Sequence, residues 1–128
     1  MASGFIRLFT PEEANQALEQ IRPTVERLLA GREQILALHP ELEQRFEEVI
    51  GNGFNPETIE LLDAFEQVRS AIDEIQSQGV YVKDINRGLL DFPSEREGKV
   101  VFLCWQYGEN EVAHWHELDA GFAGRQPL

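Results

Sequence analysis

Ile72-Asp73-Glu74-Ile75-Gln76-Ser77-Gln78-Gly79-Val80-Tyr81-Val82-Lys83 contains the change of side-chain rhythm that sets the fold. Upstream of Gly79, Leu61, Phe65, Val68, Ile72 and Ile75 recur in steps of four and three, which places them on one face of a helix. Downstream, Val80-Tyr81-Val82-Lys83 alternates, as a strand does. Gly79 adopts a left-handed conformation at little cost, so it suits the position just past a helix. Residues 1–79 are therefore read as a helical half and 80–128 as a β-rich half of one α+β domain.

The helical half opens at Thr10-Pro11-Glu12-Glu13. Thr10 can cap, Pro11 gives up an N–H that would have no partner, and Glu13 can close a capping box. Ala14, Leu18, Ile21, Val25, Leu28 and Ile35 then share a face, with Arg32 where another apolar residue would fall. Pro23 predicts a kink or short break near residues 19–23. His39-Pro40 ends the pattern. Glu41 to Ile50 reads as a short helix with Leu42, Phe46, Val49 and Ile50 inward, stopped by Gly51-Asn52-Gly53. Asn55-Pro56-Glu57 starts the second long helix. The two long helices are expected to pair antiparallel, with surplus apolar surface available for a homodimer.

After Gly79 the expected meander has three or four strands. Val80–Lys83 comes first, then an Asn86-Arg87-Gly88 turn, then Leu89–Phe92 stopped by Pro93. Ser94 to Gly98 reads as a polar connection. Lys99–Gln106, apolar on both faces, reads as the central strand. A turn at Tyr107–Asn110 leads to a strand over Glu111–Glu117 and an irregular tail from Asp119.

A chain of 128 residues is enough for one domain with a real core. Its net charge of −12 is uneven, with 15 acidic and 6 basic residues before position 80 but 8 and 5 after it. Nucleic-acid binders need a positive footprint, and no stretch here supplies one. No run approaches the roughly 18 apolar residues of a membrane span. One cysteine and no signal peptide fit a cytoplasmic protein.

The residues able to do chemistry gather in the back half. On a strand, His114 and His116 share a face, with Trp115 and Glu117 opposite. If the hairpin register has one parity, Cys104 joins the two imidazoles in a candidate zinc site. The other parity turns it away. Without metal, Cys104 is a small core residue and His116 the partner of a carboxylate. A second candidate set lies at strand ends: Arg87, Asp91, Glu117 and Arg125, with Asp84, Arg96 and Asp119. There paired carboxylates could serve as acid and base, and arginines could clamp an anion. Trp105 and Trp115 read as core or interface aromatics. No CxxC, HExxH, nucleophile elbow, phosphate loop or dinucleotide fingerprint occurs.

Lys83-Asp84-Ile85-Asn86-Arg87-Gly88-Leu89-Leu90-Asp91-Phe92-Pro93, then Leu103-Cys104-Trp105, then Trp115-His116-Glu117-Leu118-Asp119-Ala120-Gly121-Phe122-Ala123-Gly124-Arg125 resemble the signature of a bacterial family of unknown function, family 2203. Phe9-Thr10-Pro11-Glu12-Glu13-Ala14-Asn15 is similar to that family's opening. The resemblance carries no activity. It implies that Asp91, Trp105, His116, Glu117, Gly121, Phe122 and Arg125 belong to a shared pattern, and that an aromatic, commonly tyrosine, stands where this chain has His114.

Two functions are compatible with these residues. One is a non-enzymatic, acidic interaction module, a homo-oligomer (a dimer) or the binder of another protein. The other is a small-ligand or metal-assisted site at the end of the sheet, with hydrolysis as a reaction open to it. That site would use His116 with Asp91 or Glu117, and Arg125 as the anion clamp.

Overall fold

The computed structural model describes residues 4–52 and 56–128. Among these residues, helix α1 (Pro11–Leu38), a 3-10 turn (Pro40–Arg45) and helices α2 (Phe46–Asn52) and α3 (Ile59–Gln76) precede five strands. The strands are β1 (Tyr81–Asp84), β2 (Leu89–Arg96), β3 (Lys99–Gln106), β4 (His114–His116) and β5 (Gln126–Pro127), adjacent in chain order and antiparallel throughout. The fold is α+β, with the helices on one face of the sheet.

Thr10 caps α1 in the reciprocal manner its spacing predicts. Its hydroxyl accepts from the Glu13 N–H at 3.1 Å, and the Glu13 carboxylate accepts from the Thr10 N–H at 2.9 Å. The six apolar residues of the predicted seam are all buried. The short break expected near Pro23 does not occur, and α1 continues through it. Pro23 and Glu19 both face solvent, so water can satisfy the Glu19 carbonyl that loses its helical donor. The seam position near Arg32 is filled by Gly31, where a Cβ would stand 2.9 Å from Val68 Cγ2 and 3.2 Å from the Ala64 carbonyl oxygen. Glycine thus lets α3 approach closely. Gly31 meets Ala64 and Val68, while Thr24 hydrogen-bonds Glu74, so the two long helices run antiparallel.

Helix α3 starts later than the Asn55-Pro56-Glu57 reading. Thr58 is the cap, its hydroxyl accepting from the Leu61 N–H at 3.2 Å, and Gly53 and Asn55 lie outside the described residues. The predicted short helix is a 3-10 turn followed by α2, with Leu42, Phe46, Val49 and Ile50 buried as expected.

Strand boundaries also differ from the expected ones. Pro93 does not stop β2, which pairs with β3 as far as Arg96↔Lys99. β1 pairs no further along β2 than Asp91, and the Pro93 carbonyl instead accepts from the Phe9 N–H at 2.7 Å. The missing N–H points to that same outer side, where no ladder bond is lost. The polar connection shrinks to Glu97-Gly98, both at positive φ (53° and 78°), as a two-residue hairpin turn requires.

The strand expected over Glu111–Glu117 contracts to three residues because the side chain of Asn15 takes over the Val112 backbone. Asn15 Oδ1 accepts from the Val112 N–H at 2.7 Å, and its Nδ2 donates to the Val112 carbonyl at 3.2 Å. The tail is less irregular than predicted. Phe122–Gly124 forms a 3-10 turn, and Gln126–Pro127 pairs with β4, placing the tail at the sheet's edge.

Candidate functional site

Register decides what the sheet brings together. Asp91 pairs with Cys104, Cys104 with His114, and Phe102 with His116. Alternation then puts Asp91, Phe102, Cys104, His114 and His116 on one face. Leu90, Phe92, Leu103 and Trp105, members of the main core, occupy the face that packs on the helices. The parity that sequence left open is thus the one that unites the cysteine with both histidines.

His116 and Asp91 are each only 2% exposed, and Cys104 is fully enclosed. The Nδ1 atom of His116 lies 2.7 Å from the Glu117 carbonyl oxygen. A carbonyl only accepts, so Nδ1 carries a proton. Nε2 lies 3.0 Å from Asp91 Oδ1, which requires one proton between ring and carboxyl. Burial pushes the Asp91 carboxyl above its ordinary range, with the adjacent His116 and Lys83 opposing. Burial, reinforced by Asp91, pushes the Cys104 thiol up to about 12, so it stays protonated at neutral pH.

Aromatic rings roof this cluster. Phe102 lies against His116 with ring centres 5.6 Å apart, and Phe5 and Tyr81 meet Phe102 edge-on. The Lys83 ammonium sits 4.9 Å from the Phe102 ring centre.

His114 belongs to a neighbouring network. The Arg125 Nη2 group donates to His114 Nδ1 at 2.6 Å and to Glu109 Oε2 at 2.7 Å. The other Glu109 oxygen accepts from the Gln106 N–H at 2.8 Å. Phe122 lies between two guanidiniums, 4.2 Å from that of Arg87 and 4.6 Å from that of Arg125. Arg87 also donates to Gln106 Oε1 at 2.9 Å. These contacts clasp the tail to the end of β3. Arg125 Nε is buried without a hydrogen-bond partner.

Two candidates stand apart. The Glu117 carboxylate turns away to pair with Lys99 Nζ at 2.6 Å, and only its backbone carbonyl serves His116. Trp105 is buried on the helix-facing side, its indole N–H donating to the Glu109 carbonyl at 3.0 Å. The three proposed zinc ligands share a face, yet the tight set of donor atoms is Asp91, Cys104 and His116, with His114 outside it.

Sequence reasoning missed Glu109, read only as a turn residue, although it joins Arg125, Gln106 and Trp105. Its signal was an acidic residue after Gly108, which turns at φ 104°. Asn15, quoted only as part of the opening motif, was missed as the anchor of the loop before β4.

Each motif behind the family resemblance thus has a structural role. Phe9 docks the opening segment on β2 and Asn15 holds the loop before β4, Asp91 and Cys104 face each other across β2 and β3, and the closing motif supplies His116 and the tail clasp. Among the described residues, no helix is long and apolar enough to cross a membrane. Comparison with curated proteins and with solved structures gives no match. Residues 7–128 match the sequence profile of the family described as an uncharacterized conserved protein, DUF2203, and the chain belongs to that family.

Proposed function

We propose that the chain is a non-enzymatic, acidic interaction module that associates with a second copy of itself. The observation that carries this reading is how the chemically competent side chains are disposed. His116, Asp91 and Cys104 are enclosed, and Arg125 is engaged with Glu109 and His114. The Glu117 carboxylate is held at the rim by Lys99. A general acid or base must reach a substrate proton within hydrogen-bond distance. Buried behind Phe102, His116 and Asp91 reach each other instead.

The surface for association is at one end of the helical pair. Leu38 ends α1, and Ile59 and Leu62 begin α3, so the antiparallel arrangement brings them to the same end. They are 59%, 74% and 44% exposed, large values for branched apolar side chains. Like charges on two copies oppose association, and salt screens that repulsion. Sedimentation velocity over a concentration series tests the reading. A dimer that tightens with added salt and is lost in the Ile59→Glu, Leu62→Glu double variant supports it. A monomer at every concentration and salt level overturns it.

A further inference from the structure

We propose that Asp91, Cys104 and His116 form a binding site for one thiophilic divalent cation of the zinc class, held by a carboxylate oxygen, the thiolate sulfur and His116 Nε2. The three donor atoms lie within 4.8 Å of one another, and all three residues are buried. They come from three adjacent strands, with Asp91 directly opposite Cys104, so the backbone fixes their spacing. Zinc bonds such donors at about 2.0–2.3 Å, and small side-chain movements bring this set onto one ion.

Two further features point to a cation. A ligating histidine usually donates its second ring N–H to a carbonyl or carboxylate, which orients the ring. His116 does so through Nδ1 to the Glu117 carbonyl at 2.7 Å, directing Nε2 at Asp91 and Cys104. Charge is the second. A carboxylate and a thiolate together balance a divalent ion, so the loaded cluster carries no net charge into the sheet. On loading, the thiol proton and the proton between Asp91 and His116 both leave for solvent, two for each cation bound.

This set differs from the cysteine and two histidines suggested by sequence. Asp91 takes the place of His114, whose Nδ1 is occupied by Arg125 at 2.6 Å. The residues offered for self-association, Leu38, Ile59 and Leu62, are on the helices, so the cation titration and the sedimentation test read different parts of the molecule.

The test uses full-length protein stripped with a chelator and titrated with Co2+ alone, then with Zn2+ alone. The expected result is one equivalent bound, with a thiolate-to-cobalt charge-transfer band that Zn2+ displaces. Cys104→Ser should abolish the band, and His114→Ala should keep it. The wild-type spectrum needs no variant to fold, so it decides first. No charge-transfer band in wild-type protein overturns the proposal. So does a band that survives Cys104→Ser, or one lost in a folded His114→Ala.

Discussion

Alkylation of Cys104 in metal-stripped protein tests the chemical state of the sheet's buried face. The thiol's pKa is pushed from 9.0 to about 12 by burial and by the neighbouring Asp91 carboxyl. Only the thiolate attacks an alkylating reagent, so at pH 8 that rise lowers the reactive fraction about a thousand-fold. Enclosure by the sheet slows the reaction further, because reagent must wait for local opening. The assay is iodoacetamide labelling followed by mass spectrometry, comparing native protein with the urea-unfolded chain at one pH. The native rate should be lower by about three orders of magnitude. Native labelling within about ten-fold of the unfolded rate would refute the reasoning. The same perturbation sets a stability trend. The unfolded thiol ionises near pH 9.0 while the folded one keeps its proton until about 12, so this contribution is intact below 9 and falls between 9 and 12. The urea midpoint should therefore drop with rising pH across that window.

Asn15→Ala should cost about 1–3 kcal/mol in urea unfolding, because it strands the buried N–H of Val112 that Asn15 Oδ1 accepts. Gly31→Val should cost about 1–3 kcal/mol by the same measurement, since its side chain would push against Val68 and the Ala64 carbonyl. Gly51→Ala, where a Cβ meets nothing within 4 Å, serves as the control and should shift stability by less than about 0.5 kcal/mol. His116→Leu leaves Asp91 buried without its imidazole partner and should cost about 3–5 kcal/mol. The Asp91→Leu, His116→Leu double variant should recover part of that loss.

Local chemistry was legible where it alone decides structure. Thr10 and Glu13 announced their capping box, and the alternation after Gly79 announced the sheet. What escaped the sequence depends on partners far along the chain. Pro93 reads as a strand terminator until Phe9, 84 positions earlier, is seen bonding to its carbonyl on the side where no N–H is needed. The strand before His114 is shortened by Asn15, a residue 97 positions from Val112. The candidate site shows the same division. Alternation placed His114 and His116 together, but only the hairpin register could bring Cys104 and Asp91 to them. The orientation of Glu117 was readable from alternation. That Arg125 would claim His114 was not, because it depends on the tail folding back as a fifth strand.

The functional reading depends most on His116 being sealed between Asp91 and the Glu117 carbonyl, closed to solvent and substrate alike. Hydrogen exchange at its Nδ1–H, followed by NMR after transfer to deuterated water, measures that enclosure directly. The account predicts a resolved imidazole N–H signal that persists as long as the most protected amides of β2 and β3. Exchange complete before the first spectrum would show an open histidine and contradict it.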